Sequence, residues 1–446
     1  MDQHNSPGTT QSVHTKPVDT AERIKSIDTI RGVALLGILM MNIPLFGIDQ
    51  SVWFSLIGGP RSGNDYYTFG VVFVFFEGTM RGLFSMLFGA GMVLFMFNKK
   101  DVPGEPPVAT YYYRRLLWLV VFGLINAFVI LWQGDILFFY GLAGMLLFAF
   151  RKLQPKWLLM IALLVVSFGI IKKQWSWNET KERRENYNEA IAAREAKKEL
   201  TPEQQGAIAG WEEREKNNKP DSAEYKKNDK KMHSGYGTIF SYFIPINSTG
   251  EVFYMYHDPW DLLSMMFLGM ALFRWGFFSN RLKTSTYGMW MLIGYGLGIP
   301  IAWQLFNNGW MSFGELGAGG FADRWSSSPQ VFVEFRRILL TIGHASLVML
   351  IFRSRIVPWL MKLLANVGQM AFTNYLMQSI ICTFFFFGYG FDNYNKLRFH
   401  QLYYVVFSVW IFQLIFSAIW LRYFRFGPFE WLWRSLTYWK RQPMKK

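Results

Sequence analysis

Two pairs of oppositely charged residues stand at the edge of, or inside, long apolar stretches, where ionisable side chains are rare. Asp28 and Arg31 are spaced i,i+3 where the first stretch begins, and Glu77 and Arg81 are spaced i,i+4 within the second. An ionisable group in hydrocarbon is costly unless it is paired or faces a polar cavity, so it marks a candidate site. Arg31 offers a planar guanidinium that binds phosphate or carboxylate through two hydrogen bonds. The alternative for Asp28 and Arg31 is a pair that only anchors the helix end. The alternative for Glu77 and Arg81 is an ion pair that neutralises itself and fixes a kink.

Other polar residues are candidates for acid–base chemistry. Gln133 and Asp135 lie in a very short turn between two apolar stretches, where a carboxylate also suits the helix dipole. His344 lies within an apolar stretch, and such a histidine is either a hydrogen-bonded packing residue or a proton-transfer group. We expect His257 to lie on the same side of the membrane as Asp135. The candidate catalytic residues are His344, Asp135, Glu77 and His257.

Amide side chains inside the apolar stretches are a further set. Asn42 follows Arg31 by three helical turns, and Asn374 and Gln378 share one face of a later stretch. Amides at membrane depth usually join helices, although they also contact substrates. The candidate substrate-binding residues are Asp28, Arg31, Asn42, Arg81, Gln133, Asn374 and Gln378. We also expect some polar groups near one membrane surface to converge as a pocket: Asn126, Gln133, Asp135, His257, Asp258, Asp261, Glu334, Arg336 and Arg337.

The composition indicates which elements must position these residues. Hydrophobic residues make up 51% of the 446, and many apolar stretches have no polar face. A bilayer core about 30 Å thick requires about 20 such residues per helix. The net charge is +15, but the basic residues cluster at the ends of apolar stretches, as in cytoplasmic loops of membrane proteins. The sequence therefore predicts contact with the lipid bilayer and no nucleic-acid partner.

The predicted fold is an all-α, polytopic membrane helix bundle with about ten transmembrane helices. Lys and Arg in the short loops place both termini in the cytoplasm, which predicts a multi-pass protein of the inner (plasma) membrane. The sequence leaves open whether 68–97 is one helix or a pair broken near Gly78. The predicted spans are 32–49, 68–97, 115–132, 135–150, 156–172, 260–277, 286–306, 330–352, 370–390 and 402–421.

Five regions follow from this topology. A disordered cytoplasmic tail (1–26) precedes spans one to five (27–172), and a polar, helical, extracytoplasmic insertion (173–258) separates these from spans six to ten (259–425). A basic, aromatic cytoplasmic tail (426–446) ends the chain. Within the insertion, helix-favouring residues with many i,i+4 opposite charges predict a helical hairpin that turns at Thr201-Pro202.

Common cofactor and metal motifs do not occur in the sequence. It has no zinc-ligand spacing, Walker loop, dinucleotide-binding glycine pattern or nucleophile elbow. Its single cysteine, Cys382, excludes an intramolecular disulfide. We expect no metal and no tightly bound cofactor, and the sequence does not indicate an oligomeric state.

Several motifs resemble the YeiB-like bacterial membrane family, whose C-terminal half is domain of unknown function 418. The likeness covers nearly all of the membrane part, in order, but not the 173–250 segment. The motifs that carry it are Arg23-Ile-Lys-Ser-Ile-Asp-Thr-Ile-Arg-Gly-Val-Ala-Leu-Leu-Gly-Ile-Leu-Met-Met-Asn42, Leu83-Phe-Ser-Met-Leu-Phe-Gly-Ala-Gly91, Gly134-Asp-Ile-Leu137, Gly368-Gln-Met-Ala-Phe-Thr-Asn-Tyr375, Gln378-Ser379 and Gly427-Pro-Phe-Glu-Trp-Leu-Trp-Arg-Ser-Leu-Thr-Tyr438.

The opening motif also looks like the start of transmembrane acyltransferases, which acylate a sugar or similar acceptor from cytoplasmic acyl-coenzyme A. That resemblance implies that Asp28, Arg31 and Asn42 shape the acyl-donor path and that an envelope glycan or lipid is the acceptor. Such enzymes use a histidine near the first span, whereas this chain has none between His14 and His233. A transporter of a small or lipid-like substrate, with Glu77, Arg81 and His344 along its route, is one alternative. A non-catalytic membrane scaffold is the other.

Overall fold

The computed structural model describes residues 24–49, 52, 60–97, 101, 103–104, 106–218, 222–257, 259–324 and 330–446. The predicted N-terminal tail, apart from its last three residues, lies outside them. The described chain is all-α, as predicted. Its helices are α1 (Lys25–Gly47), α2 (Asn64–Phe75), α3 (Thr79–Phe97), α4 (Val108–Phe128), α5 (Leu137–Leu147), α6 (Pro155–Glu195), α7 (Pro202–Asn218), α8 (Ser222–Met232), α9 (Tyr236–His257), α10 (Pro259–Arg274), α11 (Thr284–Arg324), α12 (Gln330–Ser354), α13 (Pro358–Gln369), α14 (Ala371–Phe386), α15 (Phe399–Tyr423) and α16 (Pro428–Tyr438).

One end of the bundle, the tail end, gathers α13, α16 and the beginning of α1. Hydrogen bonds join loops that are distant in sequence but reach this same end. The pairs are Ser26–Phe278, Arg115–Trp433, Arg151–Arg274, Leu282–Arg353 and Gln369–Arg425.

The opposite end, the insertion end, carries α7 and α8. Its hydrogen-bonded pairs are Leu45–Gln133, Asp49–Asn395, Asp65–His400, Val129–Tyr236 and Lys173–Glu334. Followed along the chain, ten apolar segments connect the two ends alternately, with α2 and α3 together forming one of them. The bundle therefore has about ten crossings, as the sequence predicts.

The crossings differ in length. Among the described residues, seven are long and apolar enough to cross a membrane by length and composition, and Leu137–Phe150 and Ala371–Phe386 are shorter apolar helices. The remaining segment, α10, forms the sixth crossing along the chain and has 16 residues. Ten of these residues are buried and none is exposed, because the helix packs between α3 and α6.

The second crossing is broken, which resolves the alternative that the sequence left open. Helix α2 ends at Phe75, α3 begins at Thr79, and Gly78 between them has φ +71°. Only glycine adopts this left-handed conformation at low cost. Asp65 pairs with His400 at the insertion end, and Phe95 contacts the Arg115 guanidinium at the tail end. The two half-helices therefore cross the bundle once.

The region between the fifth and sixth crossings contains more apolar contact than its polar composition suggests. Helix α6 continues without interruption across position 172 to Glu195, because no Gly or Pro breaks the helix-favouring sequence, and α7 packs back on it. The last helix of the region, α9, buries Ile239, Phe243 and Asn247 against the bundle. Part of the segment predicted as a polar insertion thus belongs to the apolar core.

Close helix contacts depend on glycine. A Cβ atom on Gly368 would lie 1.8 Å from the Asp28 carbonyl oxygen, and one on Gly32 would lie 2.0 Å from the Leu364 carbonyl oxygen. These two glycines allow the backbones of α1 and α13 to touch. In α11, Gly294 likewise approaches the α12 backbone, and the helix runs unbroken through Pro300. Close packing accounts for Gly294 and Gly298, whereas nothing lies within 4 Å of a Cβ atom added at Gly296.

We predict that Gly368→Ala lowers the apparent melting temperature of the detergent-solubilised protein, with a loss of about 1–3 kcal/mol. The added methyl group must displace backbone atoms of α1, which cannot move as a flexible side chain can. The matched control is Gly206→Ala in α7, where nothing lies within 4 Å of the added Cβ, so stability should be unchanged or slightly higher. Equal melting temperatures for the two variants would contradict the assigned contact.

Candidate functional site

A cluster of ion pairs surrounds the break in the second crossing. Asp261 accepts hydrogen bonds on Oδ2 from Arg81 Nη2 at 2.5 Å and from Arg337 Nη1 at 3.0 Å. Arg337 also pairs with Glu334, whose Oε1 accepts a hydrogen bond from Lys173 Nζ at 3.2 Å. We use the name break cluster for these residues together with Glu77 and Arg336, that is, for Glu77, Arg81, Lys173, Asp261, Glu334, Arg336 and Arg337. Two guanidiniums therefore share one buried carboxylate.

Glu77 and Arg336 form the other half of the break cluster. They are paired with each other, and Arg336 also donates to the carbonyl oxygens of Glu77 (3.3 Å) and Phe73 (3.2 Å). Carbonyls near the end of α2 lack their usual helical donors. Arg336 therefore serves two purposes: it neutralises Glu77 and satisfies the backbone of the broken helix. The predicted Glu77–Arg81 i,i+4 pair is replaced by pairs between different helices.

His344 completes the stabilisation of the break. Its Nε2 lies 2.8 Å from the Phe75 carbonyl oxygen, and its Nδ1 lies 2.8 Å from the Tyr295 hydroxyl. Both ring nitrogens thus have partners, one on α2 and one on α11. This arrangement matches the packing alternative for a histidine within a span, because the imidazole joins three helices.

Asp135 is the centre of a second polar site. Its Oδ1 accepts from Asn126 Nδ2 at 2.8 Å, its Oδ2 accepts from the Phe138 backbone N–H at 2.9 Å, and the Tyr375 hydroxyl lies 3.5 Å from Oδ1. The carboxylate caps the first turn of α5, and its side chain is buried beside a phenol from α14. A buried carboxylate beside a hydroxyl group is suited to accept or relay a proton.

Helix α5 connects the two polar sites. Asp135 caps its first turn, and Tyr140 lies one and a half turns further along. The Tyr140 hydroxyl is 2.7 Å from Ser85 Oγ, and both hydroxyls contact the Arg81 carbonyl oxygen, at 3.5 and 2.8 Å. The polar groups expected to form one pocket therefore form two neighbouring sites: Asp261, Glu334, Arg336 and Arg337 join Glu77 and Arg81, whereas Asn126 joins Asp135.

The end of α1 contacts the Asp135 turn directly. Gln133 Nε2 donates to the Leu45 carbonyl oxygen at 2.9 Å, and the rings of Phe46 and Trp132 stack with centroids 3.8 Å apart. Asn42 is half-buried one turn earlier on the same helix. Gln133 therefore holds the turn against α1.

The beginning of α1 forms a separate site at the tail end. Arg31 Nη1 donates to Asp28 Oδ1 at 2.8 Å. The charge of Arg31 acts on Arg115, whose guanidinium lies 4.3 Å from the centre of the Trp433 ring. Arg31 is thus paired with Asp28, and its charge also acts on a second cation, Arg115.

Asn374 and Gln378 belong to a buried amide network. Gln378 Nε2 donates to Gln413 Oε1 at 3.0 Å, Gln413 Nε2 donates to the Asn374 carbonyl oxygen at 2.7 Å, and Asn374 Nδ2 donates to Ser417 Oγ at 2.9 Å. These bonds join α14 to α15, as expected of amides that hold membrane helices together. The contacts of these two residues are with protein groups.

The tail helix α16 supports the same region. Glu430 accepts hydrogen bonds from the backbone N–H groups of Phe372 (2.8 Å) and Thr373 (3.0 Å), which caps α14. Burial raises the pKa of the Glu430 carboxyl group. This contact explains the Glu in the sequence motif that begins at Gly427. The remaining candidate, His257, has a side chain outside the described residues.

Comparisons with other proteins show the family of the chain. Residues 272–440 match a family described as a protein of unknown function, DUF418. The chain is 30% identical to the uncharacterised protein YxaH of Bacillus subtilis, over 97% of this chain and 98% of that protein. The chain belongs to the DUF418 family. It is also 29% identical to the uncharacterised protein YeiB of Escherichia coli, over 93% of this chain and 96% of YeiB. No solved structure matches the chain. The family resemblance in the sequence motifs is confirmed.

We predict that Asp261→Asn destabilises the protein by about 3 kcal/mol, because it removes the charge that Arg81 and Arg337 share in a buried site. The loss should appear as a lower melting temperature in detergent. Combining it with Arg81→Gln should recover part of the loss. The control Glu179→Gln removes a carboxylate from an exposed pair on α6 and should change stability by less than about 1 kcal/mol. A stable Asp261→Asn single variant would show that the cluster does not depend on this charge.

Proposed function

We propose that the protein is a membrane acyltransferase-like enzyme that moves an acyl group from a cytoplasmic thioester of the acyl-coenzyme A type to an acceptor at the extracytoplasmic side. The observation that carries the proposal is the course of α1. Its first turns hold the Asp28–Arg31 pair at the tail end, and its last turn contacts the turn that carries Asp135. The resemblance of its opening motif to transmembrane acyltransferases assigns the donor side to this same helix.

The tail end suits the donor. It is the cytoplasmic end by the rule that Lys and Arg collect in cytoplasmic loops. Arg31 pairs with Asp28 and acts electrostatically on Arg115, and a guanidinium binds phosphate through two hydrogen bonds. Asn42 lies about 16 Å further along α1 by the helical rise per residue, on the path from this site to Asp135. Phosphates of the donor would bind at the tail end, and the arm that carries its thioester would extend along α1 toward Asp135.

Asp135 is the base that we assign to the transfer. An acceptor hydroxyl gives its proton to the Asp135 carboxylate, and its oxygen forms a bond to the acyl carbonyl carbon. The carbon–sulfur bond breaks, and the thiolate takes the proton that Asp135 holds and leaves as the free thiol, which restores the carboxylate. The Tyr375 hydroxyl, 3.5 Å from Asp135 Oδ1, is placed to keep the carboxylate oriented. An envelope glycan or lipid hydroxyl is the acceptor class, and the enzyme uses no histidine near its first span.

The first test is thiol release from labelled acyl-coenzyme A by the purified protein with cell-envelope acceptors. We predict that Asp135→Asn lowers kcat by about 10²–10⁴-fold, the usual contribution of a positioned base. Asparagine still caps a helix, so the variant should fold with an unchanged melting temperature. Glu179→Gln, on the exposed face of α6, is the matched control and should keep full activity. Full activity of folded Asp135→Asn would exclude this residue as the base.

The second test concerns the donor end. We predict that Arg31→Gln raises KM for the thioester about 10–100-fold while kcat changes little, because a charge-assisted hydrogen bond contributes about 1.5–3 kcal/mol. Arg422→Gln is the control, since Arg422 is an exposed cation at the same end of the bundle. If folded wild-type protein releases no thiol and forms no labelled product, acyl transfer itself is wrong.

A broken helix favours the second candidate function, a transporter. Transporters form substrate sites where half-helices meet within the membrane, and α2 and α3 meet in this way beside the break cluster. Substrate-dependent flux in proteoliposomes that Glu77→Gln abolishes, without thiol release, would favour transport over acyl transfer.

A further inference from the structure

Two buried amide oxygens beside the Asp135 turn have no hydrogen-bond donor among the described residues. They are Asn126 Oδ1 and Asn247 Oδ1, on residues that are 0% and 2% exposed. The nitrogen of each amide is already used, because Asn126 Nδ2 donates to Asp135 Oδ1 at 2.8 Å and Asn247 Nδ2 donates to the Ala127 carbonyl oxygen. Exchanging nitrogen and oxygen in either amide would place two acceptors against each other. The unsatisfied atoms are therefore acceptors, and a ligand that satisfies them must bring donors.

Helix α9 brings a second carboxyl group to this place. The helix packs against α4 and α5, and the Tyr236 hydroxyl donates to the Val129 carbonyl oxygen at 2.7 Å. Glu251 follows Asn247 by four residues, so the two side chains share one face of α9. Burial and the Asp135 carboxyl group raise the pKa of the Glu251 side chain to about 8. The two carboxyl groups are therefore close enough to repel each other when both are ionised.

The charges of Asp135 and Glu251 are not matched by cations in the described part of the chain. The hydrogen-bond partners of Asp135 are neutral: the Asn126 amide, the Phe138 backbone N–H and the Tyr375 hydroxyl. Neither carboxyl group pairs with a described lysine or arginine. An added cation would favour the ionised form of both groups, whereas a neutral hydroxyl compound would leave their charge uncompensated.

A primary ammonium group fits this set of acceptors. It carries one positive charge and three N–H donors and has no acceptor of its own. The two amide oxygens and the Glu251 carboxylate supply three acceptors. Glu251 is half-buried, and Ser248 and Thr249 beside it on α9 are exposed. The acceptors therefore extend from the accessible surface of α9 to the buried amide of Asn126.

We propose that Asn126, Asn247 and Glu251 bind a primary ammonium group beside Asp135, at the insertion end of the bundle. The ammonium donates one hydrogen bond to each amide oxygen and one to the Glu251 carboxylate. The headgroup of an aminophospholipid and a soluble primary amine both supply this group. The site does not depend on acyl transfer, because binding is measured without a thioester donor.

The test is native mass spectrometry of the full-length protein in a neutral detergent. The probes are phosphatidylethanolamine, phosphatidylcholine with the same acyl chains, ethanolamine and choline. Choline carries the same positive charge but has no N–H donor, so it separates hydrogen bonding from charge. We expect an ethanolamine probe to bind about tenfold or more tightly than its choline counterpart. Binding of phosphatidylethanolamine alone identifies a lipid ligand, whereas binding of ethanolamine identifies a soluble one.

Three variants locate the bound ammonium group. Glu251→Gln removes the charge with little change of shape and should weaken the apparent Kd about tenfold or more. The matched control Glu179→Gln removes a carboxylate from an exposed pair on α6 and should keep wild-type affinity. Asn247→Leu removes one of the amide oxygens and decides the result if Glu251→Gln does not fold. The proposal is overturned if no primary amine binds, if the choline probes bind equally well, or if folded Glu251→Gln keeps wild-type affinity.

Discussion

The second crossing of the bundle is broken at Gly78, and the charges of α12 and α10 hold the break together. A break in a helix leaves backbone carbonyls without their usual donors, and hydrocarbon cannot supply them. Arg336 donates to the carbonyls of Phe73 and Glu77, and His344 contacts that of Phe75. Arg336 and His344 come from a neighbouring helix, α12, and Thr79 of α3 also donates to the Phe75 carbonyl oxygen at 2.7 Å. The packing of α12 against α2 and α3 is therefore constrained by hydrogen bonds as well as by apolar contact.

The same constraint explains why the polar residues occur in two sets. The charges at the break must be neutralised within the membrane, which brings Asp261 of α10 to Arg81 and Arg337. Asp135 satisfies a different need, at the first turn of α5, and has amide, backbone and phenol partners instead of cations. Asp261 is thus paired with cations, whereas the charged group that acts on Asp135 is the carboxyl group of Glu251.

Sequence analysis predicted the architecture because the length and apolar composition of a segment indicate a membrane helix. The ten crossings and the hairpin turn near Pro202 follow from apolar stretches and helix-favouring composition. Partners across helices were harder to predict. The i,i+4 spacing suggested that Glu77 pairs with Arg81, whereas the break at Gly78 turns Glu77 toward Arg336. Likewise, nothing in the local sequence indicates that Tyr295 lies beside His344 or that α9 packs into the core.

A polar side chain at membrane depth does not by itself identify a reacting group. His344, Asn374 and Gln378 have hydrogen-bond partners on other helices, so each has a structural role whatever else it does. Asp135 also caps a helix, but asparagine would serve that purpose without the cost of burying a charge. Arg31 stands near a second cation, Arg115, which a structural ion pair with Asp28 does not require. The acyl transfer that we propose uses Arg31 and Asp135, so it requires the donor to reach from one end of α1 to the other.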